Sequence, residues 1–325
     1  MFNSRLGKLL ATIQTEAAPI AIECIAEKDK VSVVTSGADM TLSTYALDDP
    51  NPKRKYKVQT SWATPGVQMS LAYAYDSKLL YSGGTNGNIY SWDVTERNLV
   101  STLSDHTDIV MSLIVLRKLN NIASASLDKS VRIWDSHTKD CILTLQGHRK
   151  GVFDLSYSPY HRLLFSCGFE HDALVWSPFV NSIVYRLRGH NSSLVGCQTV
   201  DGTNELITAD TSGIFKLWDI RNFSCIQTFS ANLSGEGLKD SSKLTCFFHS
   251  KLKSRNAQQE EDDSRIYAAS KLLFSFDQAR VVHEVTTDYF NVFWMEWIPA
   301  TCSIITASDK NVIVWDALVG SKTFT

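Results

Sequence analysis

The sequence predicts an all-β fold assembled from repeated four-stranded units, and three observations sharing one period predict it. Trp92, Trp134, Trp176 and Trp218 recur every 42 residues, and three of the four are followed by Asp. His106, His148 and His190 keep the same period, each 28 residues ahead of the next Trp. The stretches that begin at Val100, Ile142 and Val184 superpose at that spacing as well, each running through a Leu to the His. A repeat of about 40–45 residues with Gly-His at one end and Trp-Asp at the other is the signature of a propeller blade, a small twisted sheet that stacks on its neighbours.

The unit ending at Trp134 is the cleanest. Ile109 to Leu116 reads as its first strand and Asn121 to Ser126 as its second, with Leu127-Asp128-Lys129 as the turn. Val131 to Trp134 reads as the third and Cys141 to Leu145 as the fourth. Period-two alternation of apolar and polar residues is the strand signal throughout. The units ending at Trp92, Trp176 and Trp218 copy this layout.

The markers decay toward the ends while the pattern persists. Met40 to Tyr45, preceded by Asp39, fits a third strand with Tyr in place of Trp, and Asp309 to Asp316 is a complete late example with Trp315. Trp218 and Trp315 stand 97 residues apart, too far for one repeat, and Leu272 to Asp277 supplies the missing third strand with Phe276 in place of Trp. The third-strand markers are then Tyr45, Trp92, Trp134, Trp176, Trp218, Phe276 and Trp315. They predict one domain over residues 1–325, a seven-bladed propeller with four-stranded blades. The polar, charged and aperiodic stretch from Lys251 to Ser264 predicts a flexible loop between the first two strands of the sixth blade. Gly7 to Ile13 fits the outer strand of the last blade, where it would cover an open sheet edge. Lys322 to Thr325 starts a second candidate for the same slot, which points either to a C-terminus cut from a longer chain or to a frayed tail.

These repeats resemble the WD40-repeat family, most strongly over residues 100–220. In that family a Trp indole donates to a Ser or Thr, the hydroxyl to a His, and the His to an Asp in the turn. Carried over, the resemblance implies a structural tetrad of Trp134, Ser126, His106 and Asp128. The same residues invite a hydrolase reading, but no G-x-S-x-G elbow or oxyanion site accompanies them, and no enzyme is expected. Glu170 and Gly168 in the fourth unit, and Ser212 in the fifth, depart from the tetrad and predict weaker networks there. The resemblance also implies that loops on one face bind proteins or peptides. The corresponding positions here are Met111, Leu127, Arg149, Lys150, Phe153, Phe169, Tyr289, Phe290 and Phe293. Aromatic and Arg side chains in such a set are common interaction anchors. The stretch Gly147 to Asp219 further resembles EF-hand-linked WD-repeat proteins of cilia and flagella. Trp218-Asp219-Ile220-Arg221 resembles the W-D-x-R motif of cullin-type ubiquitin ligase substrate receptors, the alternative function.

Composition narrows the remaining classes. A formal net charge of −2 over 325 residues gives no general attraction to nucleic acid. Seven cysteines without a C-x-x-C pair, most in apolar runs, predict reduced buried thiols rather than disulfides or zinc. His161 and His171 flank an apolar strand without metal-ligand spacing, so neither a metal nor another cofactor is expected. Gly83-Gly84 precedes no helix and reads as a strand turn rather than a phosphate loop. No apolar run approaches membrane-spanning length, and a soluble cytoplasmic protein is the expectation.

Overall fold

The computed structural model describes residues 9–27, 30–47, 55–200, 203–230, 246–252, 263–269, 272–277, 280–286, 294–298, 303–308 and 311–316. Among them every regular element is a β-strand. They fall into two compact units, residues 64–232 and residues 1–63 with 233–325.

The unit 64–232 holds four sheets, each of four antiparallel strands in simple meander order. The Trp134 sheet runs Val110–Leu116, Asn121–Ser126, Ser130–Asp135 and Cys141–Gln146. Its second and third strands are mostly buried, because protein covers both faces, whereas the fourth strand exposes Ile142 and Gln146. The apolar layer between this sheet and the Trp176 sheet contains Ala123, Val131, Ile133, Leu145, Val152, Leu164, Leu174 and Trp176. Equivalent layers join the Trp92 sheet to the Trp134 sheet and the Trp176 sheet to the Trp218 sheet. A blade therefore owes its burial to its neighbours as much as to itself.

In the Tyr45, Trp92, Trp134 and Trp218 sheets the turn between second and third strands carries a left-handed residue, Met40, Gly87, Lys129 and Gly213, with φ of 61°, 81°, 73° and 80°, and the turn of the Trp176 sheet carries none. Glycine adopts this without steric cost, and at Lys129 the preceding Asp128 holds the turn by accepting from the N–H and hydroxyl of Ser130 at 2.9 and 2.6 Å.

The other unit contains three sheets. The Tyr45 sheet joins Pro19–Glu27, Lys30–Gly37, Thr41–Ala46 and Thr60–Ala63. The Phe276 sheet joins Cys246–Leu252, Asp263–Ala269, Leu272–Asp277 and Arg280–Thr286. The expected loop is shorter than the sequence suggested, since Lys251 pairs with Ser264 and Leu252 with Asp263 inside this sheet. Residues 253–262 lie outside the described residues. The third sheet runs Trp294–Ile298, Ser303–Ser308, Asn311–Asp316, Leu9–Gln14 and the short Lys55–Tyr56. The N-terminal strand is thus paired antiparallel with the last described strand, Ile13 against Val312, and both side chains are fully buried. The competing segment Lys322 to Thr325 lies outside the described residues.

Candidate functional site

The polar groups that recur through the repeat come first, because they decide whether the Ser, His and Asp residues are chemical or structural. His106 sits between two partners, with Nδ1 2.7 Å from Asp128 Oδ2 and Nε2 2.7 Å from the Ser124 hydroxyl. The Trp134 indole donates to the same hydroxyl at 2.8 Å. The bridging residue is therefore Ser124 and not Ser126, which donates instead to the carbonyl of Asp108 at 2.9 Å. Ser124 is fully buried with its oxygen engaged on both sides, a geometry that satisfies buried groups and leaves no nucleophile within reach of a substrate. Burial pushes the Asp128 carboxyl up, but hydrogen bonds from His106 and Ser130 outweigh it and hold the group below the usual range.

The same arrangement occurs again where the sequence predicted it to be weak. In the Trp218 sheet the His190 ring meets Asp210 at 2.9 Å and Thr208 at 2.8 Å, and Trp218 donates to Thr208 at 2.8 Å. The carboxylate comes from the end of the second strand rather than from the turn, and Ser212 supports it by donating at 2.5 Å. In the Trp176 sheet Ser166 links Trp176 and His148 at 2.7 and 2.6 Å. Glu170 stays 3.8 Å from His148 Nδ1, which has no hydrogen-bond partner. The overlooked signal was the hydroxyl itself, because Ser82, Ser124, Ser166 and Thr208 each lie ten residues before their Trp and keep the 42-residue period.

Beside this network, the Trp134 and Trp176 sheets bring together Leu127, Phe153 and Phe169 of the residues expected on the binding face. Phe153 and Phe169 pack ring to ring, with centroids 4.2 Å apart. Gly151 lies between Leu127 and Phe169; an added Cβ would come within 2.8 Å of Leu127 and 3.4 Å of Phe169. Its carbonyl accepts the amide of Phe169 at 3.1 Å. Phe169 remains 42% exposed. Arg149 and Lys150 are exposed alongside, their backbone amides donating to Glu170. Met111 is half-buried at the equivalent first-strand position of the neighbouring sheet. Tyr289, Phe290 and Phe293 lie outside the described residues.

Arg221, the residue of the alternative motif, turns its guanidinium onto Asp219, with Nη2 to Oδ2 at 2.7 Å and Nε to Oδ1 at 3.0 Å. That pairing holds the Asp219 carboxyl at about 2. A third cluster joins Asp154, Cys167 and Cys197, whose ligand atoms all lie within 4.8 Å of one another. Asp154 already accepts the amide of Cys197 at 3.0 Å, the amide of Leu155 at 2.9 Å and the hydroxyl of Ser112 at 3.2 Å. Burial pushes its carboxyl up to about 6 and both thiols up as well. These are the marks of a closed polar knot between sheets, and they do not involve His161, which bonds Asn204 at 2.8 Å.

Comparison with known proteins agrees with this geometry. The pattern of the WD domain, G-beta repeat, matches residues 55–93, 97–135 and 139–177. The crystal structure of the WD40 beta propeller domain of Doa1 superposes with a TM-score of 0.76 over 97% of both chains, at 18% identity. The chain has the WD40-repeat β-propeller fold. Cilia- and flagella-associated protein 337 B of Tetrahymena thermophila is 30% identical over 252 residues, covering 76% of this chain and 19% of that protein. Transducin-like enhancer protein 2 of Mus musculus is 29% identical over 104 residues, covering 32% of this chain and 13% of that one. The chain thus spans a fifth or less of the curated relatives it matches. WD40 propellers in general act as protein-interaction scaffolds and are typically non-catalytic.

Proposed function

We propose that this chain is a non-enzymatic scaffold, a seven-bladed ring that captures a protein or peptide through the aromatic patch at Phe153 and Phe169. The carrying observation is the half-exposed Phe169, paired with Phe153 and flanked by Arg149 and Lys150. A rigid aromatic with basic neighbours has the make-up of an interaction hot spot, and Met111 and Leu127 extend the apolar floor. The scaffold acts in the cytoplasm, with proteins rather than nucleic acid or membrane as partners. The similarity to Cilia- and flagella-associated protein 337 B supports an association of this scaffold with cilia or flagella.

Phe169→Asp tests this reading. The variant keeps the wild-type melting temperature and loses capture of the main partner by affinity purification, since truncating an anchor costs about 2 kcal/mol or more of binding. Arg221→Ala is the companion variant. Under the cullin reading it would lose the ligase adaptor while keeping everything else; under the scaffold reading it retains all partners. Retained capture by Phe169→Asp, or its unfolding, would move the binding surface elsewhere.

A further inference from the structure

The sheet carrying Tyr45 lacks the imidazole that the Trp134 and Trp218 sheets hold. Pro19 pairs with Gly37 there as Val110 pairs with Ser126 in the Trp134 sheet. The amide of Ala38 bonds the carbonyl of Ala18 at 3.0 Å, as that of Leu127 bonds Ile109 at 3.0 Å. Thr35 faces Ser43 as Ser124 faces Arg132, and Tyr45 holds the place of Trp134. This register puts Thr15, four residues before Pro19, in the position of His106, four residues before Val110. Thr35 and Asp39 keep the hydroxyl and the turn carboxylate of the tetrad, the phenol of Tyr45 stands for the indole, and the imidazole is missing.

A cavity of about 100 Å³ occupies that place, lined by Thr15, Glu16, Thr35, Asp39, Thr41 and Tyr45 among others. Its lining holds two carboxylates, several hydroxyls and no basic side chain. Asp39 uses Oδ1 for the amide and hydroxyl of Thr41, at 3.3 and 2.8 Å. No donor among the described residues reaches its Oδ2, the atom whose counterpart in Asp128 receives His106. Glu16 and Asp39 are exposed, so the cavity opens to solvent, while Thr35 and Tyr45 at its floor are 3% and 1% exposed. An apolar cavity of about 150 Å³ accepts benzene, and a five-membered ring is smaller.

We propose that this cavity is a binding site for a protonated imidazole ring, which completes the carboxylate–imidazole–hydroxyl relay of the blade from outside the chain. The ring would donate one N–H to Asp39 and the other toward the Thr35 hydroxyl, with Glu16 adding charge complementarity. Two sources share this chemistry, a free imidazole-type small molecule and a histidine side chain of a peptide. The site is separate from the Phe169 patch and does not depend on it.

The test uses the full chain at pH 6 with imidazolium chloride, against sodium chloride at equal ionic strength, read by thermal melting and by amide chemical shifts. At saturation imidazolium raises Tm by about 2 °C or more and shifts the amides of Asp39 and Thr41. Thr15→His supplies the ring covalently and abolishes both responses, and Asp39→Asn weakens binding roughly tenfold. N-acetylhistidine amide separates the sources: a response to it as well assigns a side chain, and a response to imidazolium alone assigns a small molecule. A Tm no different from the salt control overturns the proposal. So does an undiminished response in Thr15→His or, should that variant not fold, in Asp39→Asn.

Discussion

At the scale of single residues, the Ser124 hydroxyl is the pivot of the best-formed blade, receiving the Trp134 indole and meeting the His106 ring in a fully buried position. Its removal strands two buried polar groups at once, whereas Ser126 stands where the neighbouring sheets carry Gly84 and Gly168. Ser124→Ala therefore costs about 1–3 kcal/mol of stability and Ser126→Ala less than about 1 kcal/mol, which urea unfolding of the two variants measures. Equal losses would remove the pivot from Ser124. The reason sequence reasoning chose the wrong serine is physical. Residues two apart on a strand share a face, so alternation admits Ser124 and Ser126 equally, and only register and reach decide between them. The carboxylate of Asp210 was missed for a related reason, because a hydrogen bond is fixed by where an oxygen arrives and not by the position its residue holds in the repeat.

At the scale of the blade, the Trp176 sheet is the irregular one, and its irregularity starts from one methylene. Asp128 and Asp210 each accept from the turn that follows them and also reach their His. Glu170 instead accepts the amides of Arg149 and Lys150, leaves His148 Nδ1 without a partner, and is followed by a third strand of only four residues. Burial, opposed by Glu170, lowers the His148 pKa to about 4. The unfolded chain takes up a proton as pH falls through about 6.5 while the folded chain does not until about 4, so His148 withdraws stability across that window. Glu170→Asp brings the carboxylate into the turn geometry of its relatives. The expected result is a gain of about 1 kcal/mol at neutral pH and a smaller loss of Tm between pH 6.5 and 4, followed by melting curves across that range. An unchanged pH profile would show that Glu170 is not what isolates His148. The existence of this blade is plain from Trp176 and His148. The altered turn was not legible, since Glu and Asp are alike in charge and differ in reach alone.

At the scale of the whole molecule, the repeat markers weaken toward both ends, where Tyr45 and Phe276 stand for Trp, yet the strand pattern survives because burial asks for an alternating apolar face and not for an indole. What alternation cannot specify is a partner some 300 residues away in the sequence. The pairing of Leu9–Gln14 with Asn311–Asp316 is of that kind, and it is the join on which the proposed ring depends. If the proposed ring is sealed at this pairing, the full chain melts as one cooperative unit. Differential scanning calorimetry of the full chain and of a form lacking residues 1–14 tests this most directly. The account predicts one transition for the full chain, with calorimetric and van't Hoff enthalpies in agreement, and a Tm lower by at least about 5 °C once the N-terminal strand and the buried Ile13 are removed. Two separate transitions in the full chain, or an unchanged Tm in the shortened one, would contradict it.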